Sequence, residues 1–166
     1  MKLIIAFVAA VLAPMLALGA WYLYGQFATF ESNDPYIWVR TRSFLSICLA
    51  ISAAHVVALG IPAYFLLRWR GLLRWWSALL AGFVLGAVPA AVITWPLRYA
   101  SPGSYASSNG VEIMVNGVPT MAGWLQYMGG TAFSGACGLV AATAFCAVRG
   151  MSPNNSSKPT PLRGSA

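Results

Sequence analysis

Four stretches of the chain, residues 3–24, 44–67, 75–95 and 124–148, contain no lysine, arginine, aspartate or glutamate. Each is long enough to cross a hydrocarbon core about 30 Å thick, which takes about 20 helical residues. Lipid offers no water to a bare backbone, so a spanning segment must be a helix or one strand of a closed barrel, and runs of this length predict helix. The rest of the composition points the same way. Of 166 residues, 59% are hydrophobic and only 8% are charged, where a soluble domain carries about 25%. So few charges cannot cover a water-facing surface. The expected fold is an all-α membrane protein with four transmembrane helices, forming one domain over residues 1–149. The tail 150–166 is rich in Pro, Ser and Asn, has no apolar face, and is expected to be disordered.

Pro14, Pro62 and Pro89 fall inside these runs. In water they would argue against helix, but membrane helices tolerate proline where neighbours bond the freed carbonyl. Four spans put both termini on one side together with the short connection 68–74. That side holds Lys2, Arg68, Arg70, Arg74, Arg149, Lys158 and Arg163 and no acid, a sum of +7. The other side sets Arg40, Arg42 and Arg98 against Glu31, Asp34 and Glu112, a sum of zero. Positive charge beside span ends marks the cytoplasmic side, so the predicted orientation is N-in and C-in. Arg68, Arg70, Arg74 and Arg149 are the anchors of that assignment.

The segment "RWRGLLRWW" (68–76) would look like a nucleic-acid or anionic-surface motif in isolation. In this setting its arginines hold a tight cytoplasmic turn, and its tryptophans join an interfacial belt. All seven tryptophans (21, 38, 69, 75, 76, 95 and 124) lie in connections or at span ends, where amphipathic rings sit best. Three closely spaced arginines also attract anionic headgroups. Nucleic acid is not an expected partner; the lipid bilayer is. The start "MKLIIAFVAAVLAPMLALGA" has a basic residue, an apolar stretch and small residues as a signal peptide would. Its apolar run exceeds the usual 7–15 residues of such a peptide and continues into aromatic residues, which favours a retained span.

His55 is the one charged-capable side chain inside a span besides the cysteines, and it stands at the middle of residues 44–67. An ionisable group at that depth marks a functional candidate by default. Ser52 and Cys48 share its helical face, and with Ser134 of the last span they form the candidate intramembrane polar site. The structural alternative is a neutral imidazole bonded across helices, to Ser134 or to the Leu85 carbonyl that Pro89 leaves without its usual donor. Cys48 lies about two turns, about 10 Å, from His55, and Cys137 and Cys146 point to opposite sides of their span. Spacing therefore gives no metal site, and no cofactor is expected.

Small residues recur at four-residue intervals: Ala78, Gly82, Gly86 and Ala90 in the third span, and Gly130, Ser134, Gly138 and Ala142 in the fourth. Such stripes let helix backbones approach closely, so these two spans are expected to pack on one another or on a partner. Weaker alanine stripes occur in the first span (9, 13, 17) and the second (50, 54, 58). Between the third and fourth spans, Val111, Ile113 and Val115 alternate with polar or flexible residues before Asn116-Gly117. That dipeptide favours a type I′ turn, so a short extracytoplasmic β-hairpin is expected, with Val118–Thr120 as the return strand and Pro119 confining it to an edge. The hairpin reads as a stiff connector, or as a platform for a partner.

No acid on the outer side has a histidine near it, and His55 is too deep to serve an interfacial active site, so the chain is not expected to be an enzyme. A transporter or channel subunit would need a polar path, for which His55, Ser52, Thr94 and Ser134 supply little. The tail "SSKPTPLRGSA" resembles chain ends of bacterial mobile-cassette proteins over those few residues, which implies no activity. The expected role is that of a small multi-pass protein of the bacterial inner (cytoplasmic) membrane. It would act by helix packing with itself or with a membrane partner.

Overall fold

The computed structural model of the chain describes residues 1–30 and 34–151, apart from the side chain of Tyr99. Glu31, most of the predicted tail, and with it Lys158 and Arg163, lie outside the described residues. Helix α1 covers Lys2–Thr29, α2 Tyr36–His55, α3 Ile61–Trp69, α4 Trp75–Ile93 and α5 Met121–Arg149. A π-helical turn, Val56–Gly60, joins α2 to α3, making one continuous 34-residue helix, Tyr36–Trp69. Among the described residues, four helices are thus long and apolar enough to cross a membrane.

The helices outrun the apolar stretches. Residues 25–43 were expected as a connection, yet α1 extends to Thr29 and α2 begins at Tyr36. Hydropathy measures only the part of a helix that faces lipid, and a helix gains nothing by ending where the lipid does. The start of α2 is set by Asp34, whose Oδ1 accepts the Tyr36 amide at 2.9 Å while its Oδ2 pairs with Arg40 at 2.6 Å. The π turn has its cause in Pro62, near the start of α3. Proline lacks a donor and its ring crowds the carbonyl four residues back; a widened turn relieves that contact without breaking the helix. Gly71 (φ 67°) and Gly150 (φ 77°) take left-handed conformations past the ends of α3 and α5, as helix-terminating glycines do.

Packing runs opposite to that of a soluble bundle. On α1, Ile4, Val8, Leu12 and Leu16 point outward, while Ala6, Ala10, Pro14 and Gly19 are buried. Small residues go inside and branched ones outward, the arrangement suited to lipid, which would give no hydrophobic drive between helices. Helix α5 packs most extensively on α4 and next on α1, and α1 packs in turn on α2. The two flanking helices approach each other mainly at the π turn. The order across the molecule is therefore α2/α3, α1, α5, α4, an open arc. Its best-packed region lies at the end carrying Lys2 and Arg149, where the rings of Phe7, Tyr64 and Phe145 meet pairwise, edge-on or tilted, around Ala6, Ala10 and Cys146.

The opposite end carries a three-stranded antiparallel sheet, ordered β1 (Ala106–Ser108), β2 (Val111–Val115) and β3 (Val118–Pro119). The hairpin expected at Asn116-Gly117 is present as β2–β3, with φ of 54° and 79° at the two turn residues. A second turn of the same kind, Asn109-Gly110 (φ 51° and 78°), adds β1, a strand the sequence reading missed. Thr120 ties the sheet to α5. Its amide donates to the Ile113 carbonyl and its hydroxyl to the Glu112 carbonyl, and its Oγ1 caps the helix by accepting from Gly123.

Candidate functional site

Because the arc does not close, a groove runs between α2/α3 on one side and α4 on the other, with α1 and α5 as its floor. Its volume is about 430 Å³. Along α2/α3 the lining extends from Cys48 to Leu67 and along α4 from Leu73 to Thr94. At about 1.5 Å per residue the first of these is about 28 Å, nearly the full depth of a bilayer core. The lining is overwhelmingly apolar. Its polar contributors are Ser52, His55, Tyr64, Thr94 and Ser134, with the thiols of Cys48 and Cys137.

The candidate polar residues His55, Ser52 and Ser134 do share this groove, but they do not bond one another. The imidazole Nδ1 of His55 donates to the Ile51 carbonyl of its own helix at 3.0 Å, not to Ser134 or to the Leu85 carbonyl. A carbonyl accepts only from a protonated nitrogen, so this contact fixes the neutral ring as the Nδ1–H tautomer and leaves Nε2 an acceptor. Ser134 likewise donates to the Gly130 carbonyl at 3.0 Å, and Thr94 to the Ala90 carbonyl at 2.7 Å. In an apolar medium the nearest backbone oxygen, one turn back, is the most accessible partner for a helical hydroxyl. Leu85 and Pro89 also line the groove. Among the described residues no three His, Cys, Asp or Glu side chains converge.

The two glycine stripes meet in the α4–α5 seam, except at one position. A Cβ on Gly82 would stand 2.6 Å from both the Ala142 Cβ and the Gly138 carbonyl oxygen. One on Gly86 would run into the Ser134 carbonyl, and one on Gly138 into the Gly82 carbonyl. Gly130, counted with the stripe in sequence, has open space where its side chain would be. Gly135, which lies off the stripe, is instead buried under the Phe83 ring. Ala78 is half-buried against the aromatic core, and Ala90 faces the groove. Ala50 and Ala54 of α2 and Ala58 of the π turn are exposed.

At the end bearing Lys2 and the close of α5, Arg68, Arg70 and Arg74 are exposed and Arg149 is half-buried. The Arg149 guanidinium stands over the Tyr64 ring, 5.3 Å from its centroid. Tyr64 is the residue that sequence reasoning passed over. It is 4% exposed, and its hydroxyl has no hydrogen-bond partner among the described residues. Nothing in a run of apolar residues distinguishes this tyrosine from an interfacial one; its orphaned hydroxyl emerges only from the packing of Phe7 and Phe145 around it. The third thiol, Cys146, is buried with its Sγ 3.9 Å from the Trp75 carbonyl. No protein-family model, curated protein or solved structure matches the chain.

Proposed function

We infer that the chain is a non-enzymatic, multi-pass protein of the bacterial inner membrane, N-in and C-in, that works by binding a hydrophobic partner from within the bilayer. The observation that carries this reading is the groove, a full-depth cleft open sideways between two helices. The glycine seam offered by the sequence as a packing surface is occupied inside the chain by α4 and α5, so the groove is the surface left for an occupant. Its hydroxyls at Ser134 and Thr94 already donate to backbone oxygens, which favours an apolar occupant over a solute path of a transporter or channel subunit.

Photo-crosslinking in native membranes tests the reading. Benzoylphenylalanine at position 81, in the groove wall, should yield one discrete adduct. At position 80, on the outer face of α4, it should yield only the mixed adducts of bulk lipid. Identical product patterns from both positions would defeat the binding role. Orientation is checked separately with fusions: alkaline phosphatase after Ser107 should be active, and green fluorescent protein after Ala166 should fluoresce. The reverse pattern would overturn N-in and C-in.

A further inference from the structure

We propose that the groove is a lipid site that takes one acyl chain of an anionic membrane phospholipid, with the headgroup at the end bearing Arg68, Arg74 and Arg149. This names the occupant and rests on the binding role inferred above.

The dimensions choose the chain over a helix. Spread over about 28 Å of groove, the 430 Å³ open to the centre of a water molecule corresponds to a mean section of about 15 Å², or a channel about 7 Å across once a water radius of about 1.4 Å is added on each side. An extended methylene chain is about 4 Å across at van der Waals contact, and a transmembrane helix about 10 Å across with its side chains. The groove is narrower than a partner helix or a second copy of α1, and wide enough for one chain. Its lateral opening and its length, close to the hydrocarbon thickness, let a lipid enter without leaving the bilayer.

The headgroup end is chosen by charge and by an unsatisfied hydroxyl. Leu67 and Leu73 close the groove at one end and are followed directly by Arg68 and Arg74. Arg149 lies over Tyr64, which lines the same end. Among the described residues, the acidic side chains Asp34 and Glu112 both belong to the opposite end. Tyr64, 4% exposed, holds an orphaned hydroxyl there, whereas the orphaned hydroxyls of Thr41 and Thr131 belong to residues that do not line the groove. A buried hydroxyl without a partner calls for an explanation, and a phosphodiester or ester oxygen is an acceptor that would supply one. Arginine near a membrane surface attracts anionic lipid, so the site is selective for charge as well as for the chain.

The full chain, purified in a mild detergent, would be examined by native mass spectrometry with added dioleoyl phosphatidylglycerol or dioleoyl phosphatidylethanolamine. The expected result is one phosphatidylglycerol retained per chain under activation that strips phosphatidylethanolamine. Arg149→Gln should weaken that binding about fivefold, and Tyr64→Phe by a similar factor. Arg42→Gln, at the sheet end, should leave it unchanged. Ala81→Phe should abolish retention by filling the groove, with Ala63→Phe doing so from the facing wall, and the melting temperature of each reports folding. Equal retention of both lipids by the wild type, or retention unaffected by Arg149→Gln and Tyr64→Phe, would overturn the proposal. A discrete adduct at position 81 that contains protein instead of lipid would overturn it too, while leaving the groove as a binding site. Loss of any position-specific adduct would remove both.

Discussion

Replacing Gly86 with alanine adds one methyl group where two helix backbones already touch. The new Cβ would meet the Ser134 carbonyl oxygen, with the Gly135 Cα at 3.3 Å behind it. Neither neighbour is the tip of a side chain that can turn away. At Gly82 the corresponding contacts are both 2.6 Å, against an ordinary limit of 3.4 Å, so α4 and α5 must separate by nearly an ångström. Overpacking of this kind typically costs about 1–3 kcal/mol, and the better helix propensity of alanine offsets about 1 kcal/mol of it. Gly86→Ala should therefore lose up to about 2 kcal/mol, and Gly86→Leu should lose more. Gly130 supplies the control, because it shares the four-residue stripe but has nothing within 4 Å of its would-be side chain. Gly130→Ala should be neutral or gain about 0.5–1 kcal/mol. Equilibrium unfolding in mixed micelles, titrating a denaturing detergent into a mild one, reads this contrast directly. If both substitutions shift the midpoint in the same direction, the seam does not hold these helices together.

His55→Leu should cost less than about 1 kcal/mol in the same titration, since the Ile51 carbonyl it leaves belongs to its own helix; a loss of about 2 kcal/mol would place the imidazole on a partner across the groove. Asn116→Ala should loosen the sheet, because Asn116 combines a φ of 54° with acceptance of the Gly103 amide at 2.9 Å. The expected penalty is about 1–3 kcal/mol from left-handed strain and one lost hydrogen bond. Hydrogen exchange should quicken over residues 103–120 and stay unchanged in α5; uniform exchange across both would contradict the assigned turn.

The existence of four helices was legible in the sequence because solvation decides it. A charge-free run of twenty residues has few alternatives in lipid, whatever it packs against. The turn at Asn116-Gly117 was legible for a similar reason: left-handed backbone selects its residues locally, and Asn109-Gly110 carried the same signal. The glycine stripes announced close approach, but not which members of a stripe would be used. Gly130 and Gly138 are equivalent in sequence, yet only Gly138 lies where α4 crosses α5, and a crossing point is a property of two helices together. The partner of His55 was likewise beyond sequence, because choosing between Ile51, Leu85 and Ser134 requires knowing how far α2 stands from α4 and α5. Tertiary structure alone decided that distance. The arc α2/α3, α1, α5, α4 stays open since the tightest seams form elsewhere, and its opening gathers Ser52, His55, Tyr64 and Ser134 along one groove. Local chemistry fixed the elements; the groove is a consequence of which faces found each other first choice for contact, and no residue encodes it singly.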